Sequence, residues 1–280
     1  MPELPLFQVD AFADRLFAGN PAAVCPLDEW LGTEQMQAIA AENNLSETAF
    51  FAPAPGRGAN AYDLRWFTPA DEVDLCGHAT LASAFVLFTE LTPEANEISF
   101  STRSGELIVT RDDEDRMLSM DFPVRPLKSL ERAAEAADEL GRVLGVAPRD
   151  ILRASYLMGL YDSEGDVRSL APGAGLAAAL ERAGGWGYIA TGPARAGREY
   201  DFVSRFFAPQ KGILEDPVTG SAHCMLAPYW SRRLGKDAVT GFQASARGGL
   251  VRCRYDAKTA PERVTLSGSC VLYLRGRIFL

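Results

Sequence analysis

The 280-residue chain is short of the features that announce several common function classes. Histidine occurs only at His78 and His223, and neither has a companion carboxylate at zinc-ligand spacing, so no metal is expected. The five cysteines, Cys25, Cys76, Cys224, Cys253 and Cys270, are odd in number and contain no CxxC pair. A long cytosolic chain does not need disulfides, and most of the five read as small buried hydrophobes, with Cys76 left open because it abuts a motif. No apolar run approaches the roughly 20 residues needed to cross a bilayer. Neither GxGxxG after the first strand nor GxxxxGK[ST] is present, so no nucleotide cofactor is indicated and none is expected. Lys and Arg total 28 against 37 Asp and Glu, a net charge of −9, and the basic residues are dispersed. A nucleic-acid partner is therefore excluded. Met1-Pro2-Glu3-Leu4-Pro5 lacks the basic and apolar regions of a signal peptide, which makes the cytoplasm the expected location.

What the chain does contain is a doubled motif. Arg65-Trp66-Phe67-Thr68-Pro69 leads to Cys76-Gly77-His78-Ala79, and Arg205-Phe206-Phe207-Ala208-Pro209 leads to Asp216-Pro217-Val218-Thr219-Gly220-Ser221-Ala222. Gly105 to Arg111 recurs as Gly248 to Arg254, and Leu118-Ser119 as Leu266-Ser267. The offset between matched residues, 65 to 205 at one end and 118 to 266 at the other, stays near half the chain length and drifts upward, as small insertions in the second copy require. Two copies of one unit follow, against the alternative of chance likeness between two strand–turn–helix segments. With 47% hydrophobic residues there is enough apolar material for two cores.

The local patterns alternate between strand and helix. Leu6 to Phe12 reads as a strand, Gly19-Asn20-Pro21 as a turn, and Thr33 to Asn43 as a helix with Thr33 as its N-cap. Thr48 to Phe51 and Tyr62 to Phe67 read as strands joined by the loop Pro53 to Ala59. Ala79 to Glu90 and Ala222 to Leu234 are apolar on all sides, and such helices need cover all round, which a wrapped strand layer would supply. Glu97 to Arg103, Glu106 to Arg111 and Arg116 to Phe122 form a strand meander, Pro123 to Lys128 a linker, and Leu130 to Leu144 an amphipathic helix ended by Gly145. The division expected is residues 1–122 and 123–280, with the last strand free to return to the first lobe.

Gly77 and Gly220 each stand where a turn enters a helix, leaving unpaired N–H groups that suit a carboxylate or phosphate. Two such ends facing one another would share one anionic substrate. His78 in one copy and Asp216 with Ser221 in the other are the polar candidates; a structural histidine and a capping aspartate are the plain alternatives. Glu47 stands at the edge of the apolar strand Ala49-Phe50-Phe51. Partly desolvated, it would suit proton transfer near neutral pH, whereas the pattern alone favours an exposed strand-edge charge.

Five ordered segments resemble the phenazine-biosynthesis PhzF-like family: Phe7 to Phe12, Gly19 to Val24, Asn44 to Phe50, Val73 to Thr80 and Asp216 to Ala222. The resemblance implies a diaminopimelate-epimerase-like α+β fold of two pseudo-symmetric lobes, each a mostly antiparallel barrel-like sheet around a central helix. It also implies a cofactor-independent isomerase that moves a proton within a small cyclic or unsaturated acid, commonly as a homodimer. Carried over by motif, Glu47 is the general acid/base, and His78, Asp216 and Ser221 line the pocket. The amides of Gly77 and Gly220 hold the substrate carboxylate, with Cys76 and Thr219 as further contacts. A two-cysteine epimerase of amino-acid-like substrates would need a second thiol, and the place equivalent to Cys76 is read as Pro217, which cannot be a base. One-base shuttling through Glu47 fits better. A carboxylate-binding protein without catalysis is the reading from another class.

Overall fold

The computed structural model describes residues 3–112 and 116–280. Met1 and Pro2, which open the stretch searched for a leader, lie outside them. The chain divides into two compact units, Met1–Asp121 with Thr265–Leu280, and Phe122–Val264.

Unit 1 opens with β1 (Glu3–Ala11) and β2 (Asn20–Pro26), an antiparallel pair. Gly19 makes the turn between them at φ +63, and a Cβ there would meet the Ala11 carbonyl oxygen at 2.2 Å. Only glycine fits. The connection lies earlier and is longer than Gly19-Asn20-Pro21 suggested, residues 12–19, because Asn20 and Pro21 already belong to β2. After α1 (Thr33–Asn43) come β3 (Glu47–Pro53), β4 (Ala61–Phe67), β5 (Glu72–Val73), α2 (Gly77–Val86), β6 (Glu97–Thr102), β7 (Gly105–Arg111) and β8 (Leu118–Pro123). The N-cap of α1 is Gly32, not Thr33, whose hydroxyl instead accepts from Arg65 Nη2. β3 runs parallel to β2 and antiparallel to β4, and Ala49 to Ala52 are buried because α1 covers one face and α2 the other. A strand covered on both sides shows an apolar run in place of alternation.

Helix α2 is buried from His78 to Ala84 and at Val86, and it packs on β1, β2 and β3. Its hydroxyls turn inward on their own backbone: Thr80 Oγ1 donates to the Cys76 carbonyl at 2.6 Å and Ser83 Oγ to Ala79 at 2.8 Å. That satisfies polar groups no solvent reaches. The helix widens at Leu87–Leu91 into a π turn closed by Thr92 N–H to the Leu87 carbonyl, so the expected single helix from Ala79 to Glu90 is two conformations in series.

Unit 2 contains β9 (Lys128–Ser129), α3 (Ala133–Leu144), β10 (Asp150–Arg153), β11 (Leu157–Leu160), α4 (Glu164–Ser169), α5 (Leu176–Arg182), β12 (Tyr188–Pro193), β13 (Phe202–Ala208), β14 (Ile213–Asp216), α6 (Gly220–Leu234), β15 (Ala238–Gln243) and β16 (Gly249–Asp256). Helix α3 begins three residues later than its periodicity suggested, after Arg132 in the left-handed region at φ 59, and it ends as expected at Gly145. Helices α3 and α5 bury Leu140, Leu144, Leu176 and Leu180 with Tyr188 and Phe207. β13 is buried along its whole length.

Helix α6 contains Pro228, which cannot donate to the carbonyl four residues earlier, that of Cys224. The Arg125 N–H takes that place at 3.1 Å, while Val124 N–H donates to Glu262. Residues 124 and 125 are thereby built into unit 2. The chain leaves unit 1 within β8 and returns within β17 (Arg263–Gly268), after which β18 (Cys270–Phe279) pairs antiparallel with β1 from Glu3 to Ala11. Both units mix a few parallel ladders into mainly antiparallel ones, and each holds one buried helix, the α+β architecture that the doubled motif suggested. Among the described residues no helix is long and apolar enough to cross a membrane.

Candidate active site

The two units repeat one another in side-chain detail. Arg65 grips Glu72 with Nε to Oε1 at 2.7 Å and Nη2 to Oε2 at 2.8 Å, and Arg205 grips Glu215 through the same atoms at 2.7 and 2.9 Å. Each guanidinium also lies over the phenylalanine two residues on, Phe67 at 5.2 Å and Phe207 at 4.9 Å. The matched serines of the last motif, Ser119 and Ser267, meet across a 2.7 Å hydrogen bond.

Helix α2 starts at Gly77 with Cys76 as N-cap, and α6 starts at Gly220 with Thr219 as N-cap. This corrects the alignment drawn from the motifs: the residue matching Cys76 is Thr219, and Pro217 lies two positions further back. His78 accordingly matches Ser221, and Thr80 matches His223. The geometry agrees, since Thr80 Oγ1 and His223 Nδ1 reach the N-cap carbonyls of Cys76 and Thr219 at 2.6 and 2.8 Å.

In unit 1 the strand end and the helix start bring Glu47 and His78 together. Glu47 opens β3 and His78 is the second residue of α2; Oε2 of the one stands 3.0 Å from Nε2 of the other. Their side chains are 13% and 6% exposed, so the exposed-charge reading of Glu47 is set aside. Despite the short distance, neither atom has an aligned hydrogen-bond partner among the described residues. Two buried polar atoms of opposite character without aligned partners are a feature that folding alone disfavours.

The other ring nitrogen, Nδ1, faces Asn20 Nδ2 at 3.2 Å and Cys76 Sγ at 3.5 Å. Burial disfavours the imidazolium, but the hydrogen bond with the Cys76 sulfur and the Glu47 carboxylate 3.0 Å away outweigh it and hold His78 well above the usual histidine range. A charged ring needs Asn20 turned so that Oδ1 receives the Nδ1 proton, and that turn gives up the 3.3 Å contact in which Ser46 donates to Oδ1. Burial, reinforced by the Glu47 charge, pushes the Cys76 thiol up to about 11. Cys76 is therefore a neutral thiol near pH 7.

In unit 2, Thr219 donates its hydroxyl to Asp216 Oδ2 at 2.5 Å, and Gln243 closes the turn by accepting from Thr219 N–H and donating to the Asp216 carbonyl. Asp216 thus braces the entry to α6 through the Thr219 hydroxyl, while the N-cap of that helix is Thr219 and not Asp216. Ser221 Oγ lies 2.8 Å from the hydroxyl of Tyr156. His223 is buried with Nδ1 on the Thr219 carbonyl, and burial pulls it down to about 4, so it is neutral. Asn20, Gln243 and Tyr156 were not among the expected site residues, although Asn20 lies in the matched segment Gly19 to Val24. Asn20 had a signal in its place beside Gly19, but read as part of a turn.

Glu47, Cys76 and His78 offer donor atoms within 4.8 Å of one another, the group that could hold a metal ion. Sulfur and carboxylate lie nearest opposite nitrogens of one ring, however, so a single ion would require the imidazole to reorient. The arrangement reads more directly as carboxylate, imidazole and thiol in series, suited to moving and holding protons.

The chain is similar to known proteins along nearly its whole length. The sequence profile of the phenazine biosynthesis-like protein family, PhzC-PhzF, matches residues 9–276. An uncharacterized isomerase of Pseudomonas aeruginosa is 48% identical over 99% of this chain and 100% of its own. The crystal structure of a phenazine biosynthesis PhzF-family protein from Enterococcus faecalis superposes with a TM-score of 0.87 at 38% identity, covering the whole of both chains. A hydroxyproline epimerase from Agrobacterium vitis shares the fold, at 11% identity and a TM-score of 0.59 over 99% of this chain and 92% of its own.

Proposed function

We propose that this chain, which belongs to the phenazine biosynthesis-like PhzC-PhzF family, is an isomerase that moves a proton within a small cyclic or unsaturated carboxylic acid by one-base catalysis. The observation that carries the reading is the buried pair Glu47 Oε2 and His78 Nε2, 3.0 Å apart and without aligned partners. The carboxylate stands within reach of a substrate proton at the strand end, and a neighbouring imidazolium stabilises negative charge as it develops on the substrate.

In this mechanism Glu47 removes a proton from a carbon activated by the adjacent unsaturation. The C–H electron pair passes into the conjugated system, and Glu47 returns the same proton to another carbon on the same face. No external acid, oxidant or reductant enters the balance. His78 stays hydrogen-bearing at Nε2 throughout and offsets the anionic intermediate. The helix-start N–H groups, at Gly77 in unit 1 and at Gly220 in unit 2, lack intrahelical acceptors and each suit a carboxylate, with Cys76 as a substrate contact in unit 1 and Asp216, Thr219 and Ser221 as substrate contacts in unit 2. A homodimer in the cytoplasm completes the reading.

Exchange by two thiols is disfavoured because Thr219 stands where the second would be required and the Cys76 thiol is pushed up to about 11. The decisive test is Glu47→Gln assayed for deuterium uptake from heavy water into a panel of cyclohexene- and cyclohexadiene-carboxylates. The reading requires uptake with the wild type and its loss in the variant; uptake unchanged in the variant ends it. Acids that bind without any exchange would favour a non-catalytic carboxylate-binding protein.

A further inference from the structure

We propose that Tyr156 is a positioning residue for Ser221: its phenol donates to Ser221 Oγ and so directs the serine's own hydrogen toward an oxygen of the bound acid. The proposal rests on the isomerase reading for its reaction, but its geometry belongs to unit 2 alone.

The ladders place these residues. In unit 1 the register pairs Thr48 with Phe67 and sets Ala22 beside Glu47. In unit 2 it pairs Tyr188 with Phe207 and sets Leu157 beside Tyr188. Stepping back one residue on each strand puts Gly187 in the place of Glu47 and Tyr156 in the place of Ala22. The large and small partners are exchanged: a small residue stands beside the carboxylate in one unit, and a large one beside a glycine in the other. Space confirms it, because a Cβ on Gly187 would meet Tyr156 Cδ1 at 2.9 Å and Phe206 Cζ at 3.0 Å. Tyr156 fills the volume that a side chain at 187 would claim.

The ring is also fixed. Trp186 and Phe206 meet it edge-on, with centroids at 5.1 and 4.8 Å and planes at 76° and 77°. A clamped ring leaves the phenol oxygen one place to be, 2.8 Å from Ser221 Oγ. That phenol is the one hydrogen-bond partner of the serine hydroxyl among the described residues. A phenol is a stronger donor than an alkyl hydroxyl, so the tyrosine gives and the serine receives. Burial raises the phenol above its ordinary range, which keeps its hydrogen in place through neutral pH. The serine hydrogen is then free to point outward, and donation into its oxygen makes it a better donor in turn. Ser221 matches His78, so each unit wires the second residue of its buried helix to the neighbouring strand end: through a carboxylate in unit 1, through a phenol in unit 2.

The test is a double-mutant cycle of Tyr156→Phe and Ser221→Ala, read first as equilibrium binding of benzoate, which cannot exchange, and second as deuterium uptake into the cyclohexadiene-carboxylate panel. Tyr156→Phe keeps the ring, so thermal midpoints should stay near the wild type. Each single variant should weaken benzoate binding about 3- to 10-fold, and the double variant should be no weaker than Ser221→Ala alone. Uptake, where present, should show the same lack of additivity. Independent losses that multiply, an unaltered Tyr156→Phe, or no benzoate binding by the wild type at millimolar concentration overturns the proposal. Glu47→Gln separates the two readings: it should abolish uptake while leaving benzoate bound, so a failed isomerase reading shows in uptake and a failed Tyr156 reading shows in the binding cycle.

Discussion

Gly187, one residue before β12, stands in unit 2 where Glu47 stands at the start of β3 in unit 1, and the difference between them makes the duplicated fold chemically one-sided. A second carboxylate at 187 would meet the Tyr156 ring, so the base exists once.

The same crowding makes Gly187→Ala a sensitive probe. With the new methyl 2.9 Å from Tyr156 Cδ1, the substitution should cost about 1–3 kcal/mol of stability. Combining it with Tyr156→Ala should cost less than the two changes added together. Urea unfolding midpoints of the three variants measure this, and strict additivity would contradict the exchange of volumes.

The two matched arginines should differ in weight. Arg205 is buried, and its Nη1 also donates to the Leu170 carbonyl at 2.6 Å, so Arg205→Met leaves Glu215 and that carbonyl without their donor and should cost about 3–5 kcal/mol. Arg65 is more exposed, and Glu72 keeps Arg103 at 2.7 Å, so Arg65→Met should cost about 1–2 kcal/mol. Equal losses would show that the second cation and the extra carbonyl do not matter.

His223 sets a pH dependence with a definite sign. Its folded value lies near 4, below the unfolded histidine range, because a charged ring would be buried with Nε2 unpaired. A depressed histidine stabilises the fold above the unfolded pKa, and this contribution is lost as pH falls from roughly 6.5 toward 4. Stability relative to His223→Gln should therefore be about 2–3 kcal/mol smaller at pH 4.5 than at pH 7.5. Denaturant titrations of both proteins at the two pH values give the difference, and a pH-independent gap would refute the assignment.

Cys76, pushed up to about 11, should react little with iodoacetamide at pH 8. Cys76→Ser should retain deuterium uptake within about tenfold of the wild type, because one-base transfer does not need the thiol. Loss of uptake in Cys76→Ser as complete as in Glu47→Gln would point instead to a mechanism that uses the sulfur directly.

Much of the architecture was legible because it rests on local pattern and on repetition. The mainly apolar stretches after Gly77 and Gly220 became the two buried helices, and Arg65 and Arg205 proved to make the same bidentate pair. Other features depend on packing that spacing does not encode. Thr33 reads as a cap by residue type, yet its hydroxyl goes to Arg65 while Gly32 takes the cap position. Pro217 was matched to Cys76 because the motif alone does not say where the helix begins; the helix starts show that Thr219 holds the place. Tyr156 lies outside every matched segment, and Gly187 reads as one of several loop glycines.

By itself, the order of residues determined the family, the duplication and the identity of the polar groups at each helix start, since motifs and periodicities survive without knowledge of what touches what. Tertiary structure alone decided that Glu47 is buried against His78, that the Cys76 thiol is held protonated, and that a tyrosine occupies the second unit's equivalent volume. Those are matters of desolvation, alignment and excluded space, which arise only when strands and helices distant in sequence pack together. The doubled motif supplies two similar cradles, and packing makes them unequal.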